Sequence, residues 1–145
     1  MPDWVTQAVD TYSRRLSEFC SLRLIEVPLS KRGKGQGDIS RIMEKEAALI
    51  LRQIPDNAHC IVLDAQGKHF DSVALSQRVE QLHIHHSQWT FVIGGPEGHS
   101  PSLLARADER WSLSKLTFAH PLARIILYES LYRSFCIMHH RPYHK

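Results

Sequence analysis

The sequence predicts an α/β domain built on a mostly parallel sheet covered by helices, and three observations predict it. HCIVLDA (His59 to Ala65) and WTFVIGG (Trp89 to Gly95) are short, nearly continuous apolar runs, the pattern of strands buried on both faces. Stretches with apolar residues at three- and four-residue intervals flank them, so strands alternate with helices, the order that gives a parallel sheet. The 145 residues are enough for one core and too few for two, while 43% hydrophobic and 23% charged residues exclude a disordered or fibrous chain. One domain, residues 1–145, is expected.

The elements follow in order. Trp4, Val5, Ala8, Val9, Tyr12, Leu16 and Phe19 recur as one face of a first helix. LRLIEVPL (Leu22 to Leu29) reads as a strand ended by Pro28 and the loop KRGKGQG. Asp38 then caps a helix carrying Ile39, Ile42, Met43, Ala47, Ile50 and Leu51. After the strand HCIVLDA, a helix begins at about Ser72. Ser100 followed by Pro101 is the cap-then-proline signature of a helix running to about Glu109. WSLSKLTF (Trp111 to Phe118) reads as the last strand, and His120 and Pro121 open a long helix to about His139. That helix is apolar nearly all round, so it wants burial on every side, and in so small a domain a second subunit is the expected cover: a homodimer.

Charge and cysteine content narrow the class. The net charge is only +3, yet basic residues bunch in KRGK (Lys31 to Lys34) and RPYHK (Arg141 to Lys145), where an anionic partner can be attracted. KRGKGQG reads equally as a solvated flexible loop or as a set of cations that reach the phosphates of an anionic partner. Cys20, Cys60 and Cys136 are widely spaced without a CxxC pair, which favours neither a disulfide framework nor a zinc ribbon and fits a reducing cytoplasm. No apolar run approaches the roughly 20 residues of a membrane span, and MPDWVTQAVD lacks the pattern of a signal peptide. HIHH (His83 to His86) reads as a solvated helix end rather than a metal cluster, and Pro142 between His140 and His144 disfavours a shared helical turn.

FVIGGPEGHS (Phe91 to Ser100) places Gly94, Gly95 and Gly98 after a buried strand and before a helix, where open α/β sheets bind ligands. Their spacing is not that of the dinucleotide fingerprint, and no GxxxxGK loop is present. A nucleotide-binding reading therefore rests on GGPEG alone. The turn offers backbone that a ligand can approach, or it is a tight turn and nothing more; the residues alone leave both open. SLSKLTFAHP (Ser112 to Pro121) can face it across the sheet.

Taken together, FVIGGPEGHS, WSLSKLTFAHPLARIILYESLYR and the terminal RPYHK resemble the RlmH family (YbeA-like proteins), bacterial SPOUT-class rRNA methyltransferases, from Pro2 to the last residue. The resemblance implies a C-terminal trefoil knot, one of the few exceptions to the rule against knotted chains. It also implies a homodimer and S-adenosylmethionine bound in the knot through backbone groups. The implied reaction is methylation of N3 of a pseudouridine in the helix-69 loop of 23S rRNA on the assembled ribosome. Carried onto this chain, the cofactor positions are Leu63 and Asp64, Gly94 and Gly95, and Ser114, Lys115, Leu116, Thr117, Phe118 and Ala119.

The donor already carries its leaving group, so the protein chiefly aligns methyl and nucleophile, and no metal is expected. The resemblance assigns Arg133, Tyr143 and His144 to the RNA and the chemistry. Arg133 suits phosphate, or else a surface ion pair. Tyr143 suits stacking on a base, or else packing on the dimer partner. His144 suits acceptance of the N3 proton. Two departures stand out: family members carry an extra strand ahead of the segment matching MPDW, so that first strand is expected to be absent from residues 1–145, and Ala119 stands where proline is common. A ribosome- or RNA-binding protein of the same fold without catalysis is the alternative reading.

Overall fold

Successive side chains of a strand point to opposite faces, and in β1 (His59–His69) both faces find cover. Cys60 and Val62 join Val92, Ala47, Ile54 and Leu103 in one core, while Ile61 and Leu63 join Val5, Leu16, Val79, Trp111 and Phe135 in another. A computed structural model describes residues 1–28, 37–94 and 98–145. The further elements are α1 (Asp3–Leu16), α2 (Gly37–Gln53), α3 (Ser72–His85), β2 (Trp89–Ile93), α4 (Pro101–Arg106), β3 (Glu109–Ser112) and α5 (His120–Met138). The three strands form a parallel sheet in the order β2-β1-β3. Helices α2 and α4 cover one face; α1, α3 and α5 cover the other.

The cap read from sequence at Ser100 holds, and α3 carries a cap that was not read. Ser100 accepts from the Leu103 N–H at 3.3 Å with Pro101 opening α4, and Asp71 caps α3 through the Ala74 N–H at 2.7 Å. On α5, Leu127, Tyr128, Leu131 and Phe135 are buried against α1 and α3, with Phe135 stacked between Trp89 and Phe19. Not every side is covered, for Leu122 is 44% exposed. The helix ends with His140 at φ 56°, where the Arg141 N–H reaches the Cys136 carbonyl at 2.8 Å and the His140 N–H reaches that of Ile137 at 3.2 Å. This paired left-handed cap turns the tail back along the helix.

Several expected elements differ. Leu22 to Pro28 form no strand: they pair with no neighbour among the described residues, and Leu24 and Ile25 are 48% and 38% exposed. An apolar run becomes a strand only when another strand meets its backbone. Helix α2 starts at Gly37, so Asp38 lies in its first turn. Helix α4 stops at Arg106, because Ala107 turns extended and the Asp108 carboxylate takes the Cys60 N–H at 2.8 Å, drawing the chain into the sheet by Glu109. β3 stops at Ser112, and Leu113 to Ala119 leave the sheet as a loop.

β1 runs beyond Ala65 to His69 through a bulge between Leu63 and Lys68. Asp64 accepts from the Gln66 N–H at 3.0 Å to start the bulge, and Gly67 passes so close to β3 that a Cβ there would sit 2.6 Å from the Arg110 carbonyl carbon. HIHH is the solvated end of α3, with His83, Ile84 and His85 exposed, while half-buried His86 stacks on His59 with centroids 4.2 Å apart. Residues 31–36 of KRGKGQG, and Gly95, Pro96 and Glu97, lie outside the described residues.

Candidate functional site

Parallel pairing sets Leu63 beside Ile93, so the bulge of β1 and the end of β2 open at one level. His99 ties them. Its Nε2–H donates to the Leu63 carbonyl at 2.7 Å, and its ring lies so near Gly94 that a Cβ there would stand 2.6 Å from Cε1. Gly94 is thus a glycine partly to admit a side chain of its own domain. The donated proton leaves Nδ1 as a bare acceptor, and that atom is buried with no partner among the described residues. Native structures rarely leave such a group unpaired.

The third segment arrives through α5. His120, next to Ala119, donates from Nδ1 to the Gly94 carbonyl at 3.1 Å. Its other nitrogen faces Arg124 Nη2 at 3.5 Å, and Arg124 Nη1 donates to Glu26 at 2.8 Å. Arg124 is only 8% exposed. Its hydrogen bond, and then its charge, hold the Glu26 carboxyl below its ordinary range. Between β3 and α5, Ser114 folds the loop locally by accepting from the Leu116 N–H at 2.9 Å. Lys115, Leu116, Thr117 and Ala119 are exposed, Leu116 at 72%, which leaves the loop's backbone approachable.

Leu63, Gly94 and the end of the Ser114–Ala119 loop therefore come together, while Asp64 turns into the β1 bulge. Sequence reasoning passed over His99, His120 and Arg124. The signal available for them was position: each lies within a segment already singled out.

Arg133, Tyr143 and His144 form a second cluster along α5, made by the turned-back tail. The Arg133 guanidinium lies 4.7 Å over the Tyr143 ring, pairs with Glu129 at 2.7 Å and donates to His144 Nδ1 at 3.0 Å. With Nδ1 so engaged, the neutral His144 ring carries its proton on Nε2. The Tyr143 hydroxyl donates to Glu129 at 3.2 Å and accepts from Tyr12 at 3.3 Å. Burial first, then the Tyr12 bond and the Glu129 charge, push the Tyr143 phenol above its usual range, so it is a neutral donor. Glu129, which organises the cluster, was not singled out from sequence. A cavity of about 110 Å3 has both Leu113 and Arg133 in its wall, so the loop spans from the tail cluster to the glycine turn.

The family model described as "Predicted SPOUT methyltransferase" matches residues 1–144. A protein named ribosomal RNA large subunit methyltransferase H from Legionella pneumophila (strain Paris) is 51% identical over 145 residues, covering all of this chain and 92% of the relative. Proteins of the same name from Thioalkalivibrio sulfidiphilus (strain HL-EbGR7) and Marinomonas sp. (strain MWYL1) are 43% and 39% identical, again over the whole chain and over 92% and 93% of their own lengths.

Proposed function

The chain belongs to the SPOUT methyltransferases, in the family of ribosomal RNA large subunit methyltransferase H, and we propose that it methylates large-subunit rRNA with S-adenosylmethionine as donor. The finer reading is transfer to N3 of a pseudouridine in the helix-69 loop of 23S rRNA, on the assembled ribosome in the cytoplasm, by a homodimer with the family's C-terminal knot. The observation that carries the donor site is the meeting of three backbone segments, Leu63, Gly94 and the loop end at Ala119 and His120, through the 2.7 Å and 3.1 Å bonds of two histidines.

The residues present fit such a ligand. A nucleoside edge is read by backbone carbonyls and N–H groups, and the loop with exposed Lys115, Leu116, Thr117 and Ala119, ending beside Gly94, supplies them. S-adenosylmethionine, when bound, supplies an activated methyl together with its leaving group. The chain's part is alignment, and Leu63, Gly94 and Ser114 to Ala119 hold the donor in this reading. Gly95 and Asp64, which adjoin Gly94 and Leu63 in sequence, belong to the same proposed donor set. Arg133 and Tyr143 present a cation and an aromatic face to the RNA, and His144 takes the N3 proton once Arg133 releases its Nδ1.

The exposed Leu122, on a helix whose apolar residues exceed what α1 and α3 cover, supports the homodimer. Among the described residues no helix is long and apolar enough to cross a membrane. The test is to incubate the chain with unmodified ribosomes and isotopically labelled donor, then to digest the 23S rRNA for mass spectrometry. One methyl on a pseudouridine is expected. Saturable donor binding with no transfer to ribosomes would overturn the reading.

A further inference from the structure

We propose that Glu26, Arg124 and His120 form a positioning relay that fixes the Gly94 carbonyl for the methyl donor. The proposal rests on the donor-site reading above and adds residues to it. Each group has only one consistent way to be oriented. Glu26 can only accept, so Arg124 Nη1 donates to it, and the same guanidinium turns Nη2 toward His120 Nε2. A cation facing Nε2 keeps a lone pair there, which puts the ring proton on Nδ1, aimed at Gly94 O. A partner on the far nitrogen that fixes a histidine's tautomer and ring plane is a common device at sites needing accurate geometry.

Two features set this chain of contacts apart from surface ion pairing. Arg124 is buried at 8% exposure, where an unpaired cation is costly, whereas Glu26 stands on Leu22–Pro28, a segment with no strand pairing to hold it. The relay also spans distant parts of the sequence: Glu26 lies 98 positions from Arg124, and Gly94 lies 26 from His120. Its far end is a carbonyl at the glycine turn, directly beside the residues read as holding the donor. Positioning residues act through another group, so their loss weakens binding of the donor while leaving the fold in place.

The experiment is calorimetric titration of S-adenosylmethionine into the full chain and into His120→Ala, His120→Asn, Glu26→Gln and Glu26→Gln/His120→Ala, with thermal unfolding of each. His120 and Glu26 are exposed, so all four variants are expected to fold. One lost hydrogen bond corresponds to roughly tenfold in affinity, the loss expected for His120→Ala. His120→Asn, whose amide N–H can replace Nδ1–H, should recover to within about threefold of the parent. Glu26→Gln should weaken binding by less than His120→Ala, and the double variant should bind no worse than His120→Ala alone, since groups in one relay are not additive. Undiminished binding by His120→Ala, or additive losses in the double variant, would overturn the relay. Failure of the parent chain itself to bind would instead overturn the donor-site reading beneath it.

Discussion

The sheet is closed at one end by charge and open at the other by backbone. Where β1 and β3 begin, Glu109 accepts from Arg78 at 2.7 and 2.9 Å, from Trp111 at 3.0 Å and from His59 at 2.5 Å. Beside it Asp108 accepts from the Cys60 N–H and from Arg106. Where β1 bulges and β2 ends, the contacts are instead single histidine donors on main-chain carbonyls, and one ring nitrogen has no partner among the described residues. The contrast teaches where stability and function are lodged. Saturated side-chain charge seals one end, and main chain is presented at the other, where the proposed reading puts the donor.

The largest effect expected from breaking this comparison is at Glu109. Burial works to raise its carboxyl, but the bonds from Arg78, Trp111 and His59 outweigh it and hold the value near 2, from an ordinary 4.5. A depressed carboxylate stabilises the fold above its unfolded value and loses that contribution as pH falls. Glu109→Gln should therefore cost roughly 2–3 kcal/mol at neutral pH, and the part of acid destabilisation that develops as pH falls from about 4.5 toward 2 should vanish. Urea unfolding across pH checks both, with donor affinity of the folded protein unchanged.

A smaller pair of effects sharpens the comparison through two glycines. Gly67→Ala drives a Cβ into the backbone of Arg110 and Trp111, which cannot step aside, so about 2 kcal/mol should be lost whatever else is changed. Gly94→Ala meets first the His99 ring, a side chain that can shift, so its cost should be nearer 1 kcal/mol. Much of that cost should disappear in a His99→Ala background. A double-mutant cycle by denaturant unfolding reads the coupling, and additivity at Gly94 would contradict the assigned contact.

Much of this architecture was legible in the chain. The nearly continuous apolar run in HCIVLDA reports two-sided burial because Cys60 and Val62 face one core while Ile61 and Leu63 face the other. Ser100 and Pro101 mark a helix start because capping is local chemistry. Leu22 to Pro28 misled because strand formation depends on a partner that periodicity cannot supply. The strand ends at Leu63 and Gly94 were visible as places for a site, yet His99, His120 and Arg124 were not. Their roles come from contacts 26, 36 and 98 positions apart, His120 to Gly94, His99 to Leu63 and Arg124 to Glu26. The bulge carried one sequence signal, an isolated Gly67 within a strand, that was available and not used.

The central claim is that the donor binds where the main chain is open. The most direct measurement is to follow backbone amide resonances of the isotopically labelled chain during titration with S-adenosylmethionine. Saturable shifts are expected at Leu63, Gly94 and the Ser114–Ala119 loop, with the amides of His59, Cys60 and Glu109 unmoved. Shifts centred on the Glu109 end, with Gly94 and the loop unchanged, would contradict it.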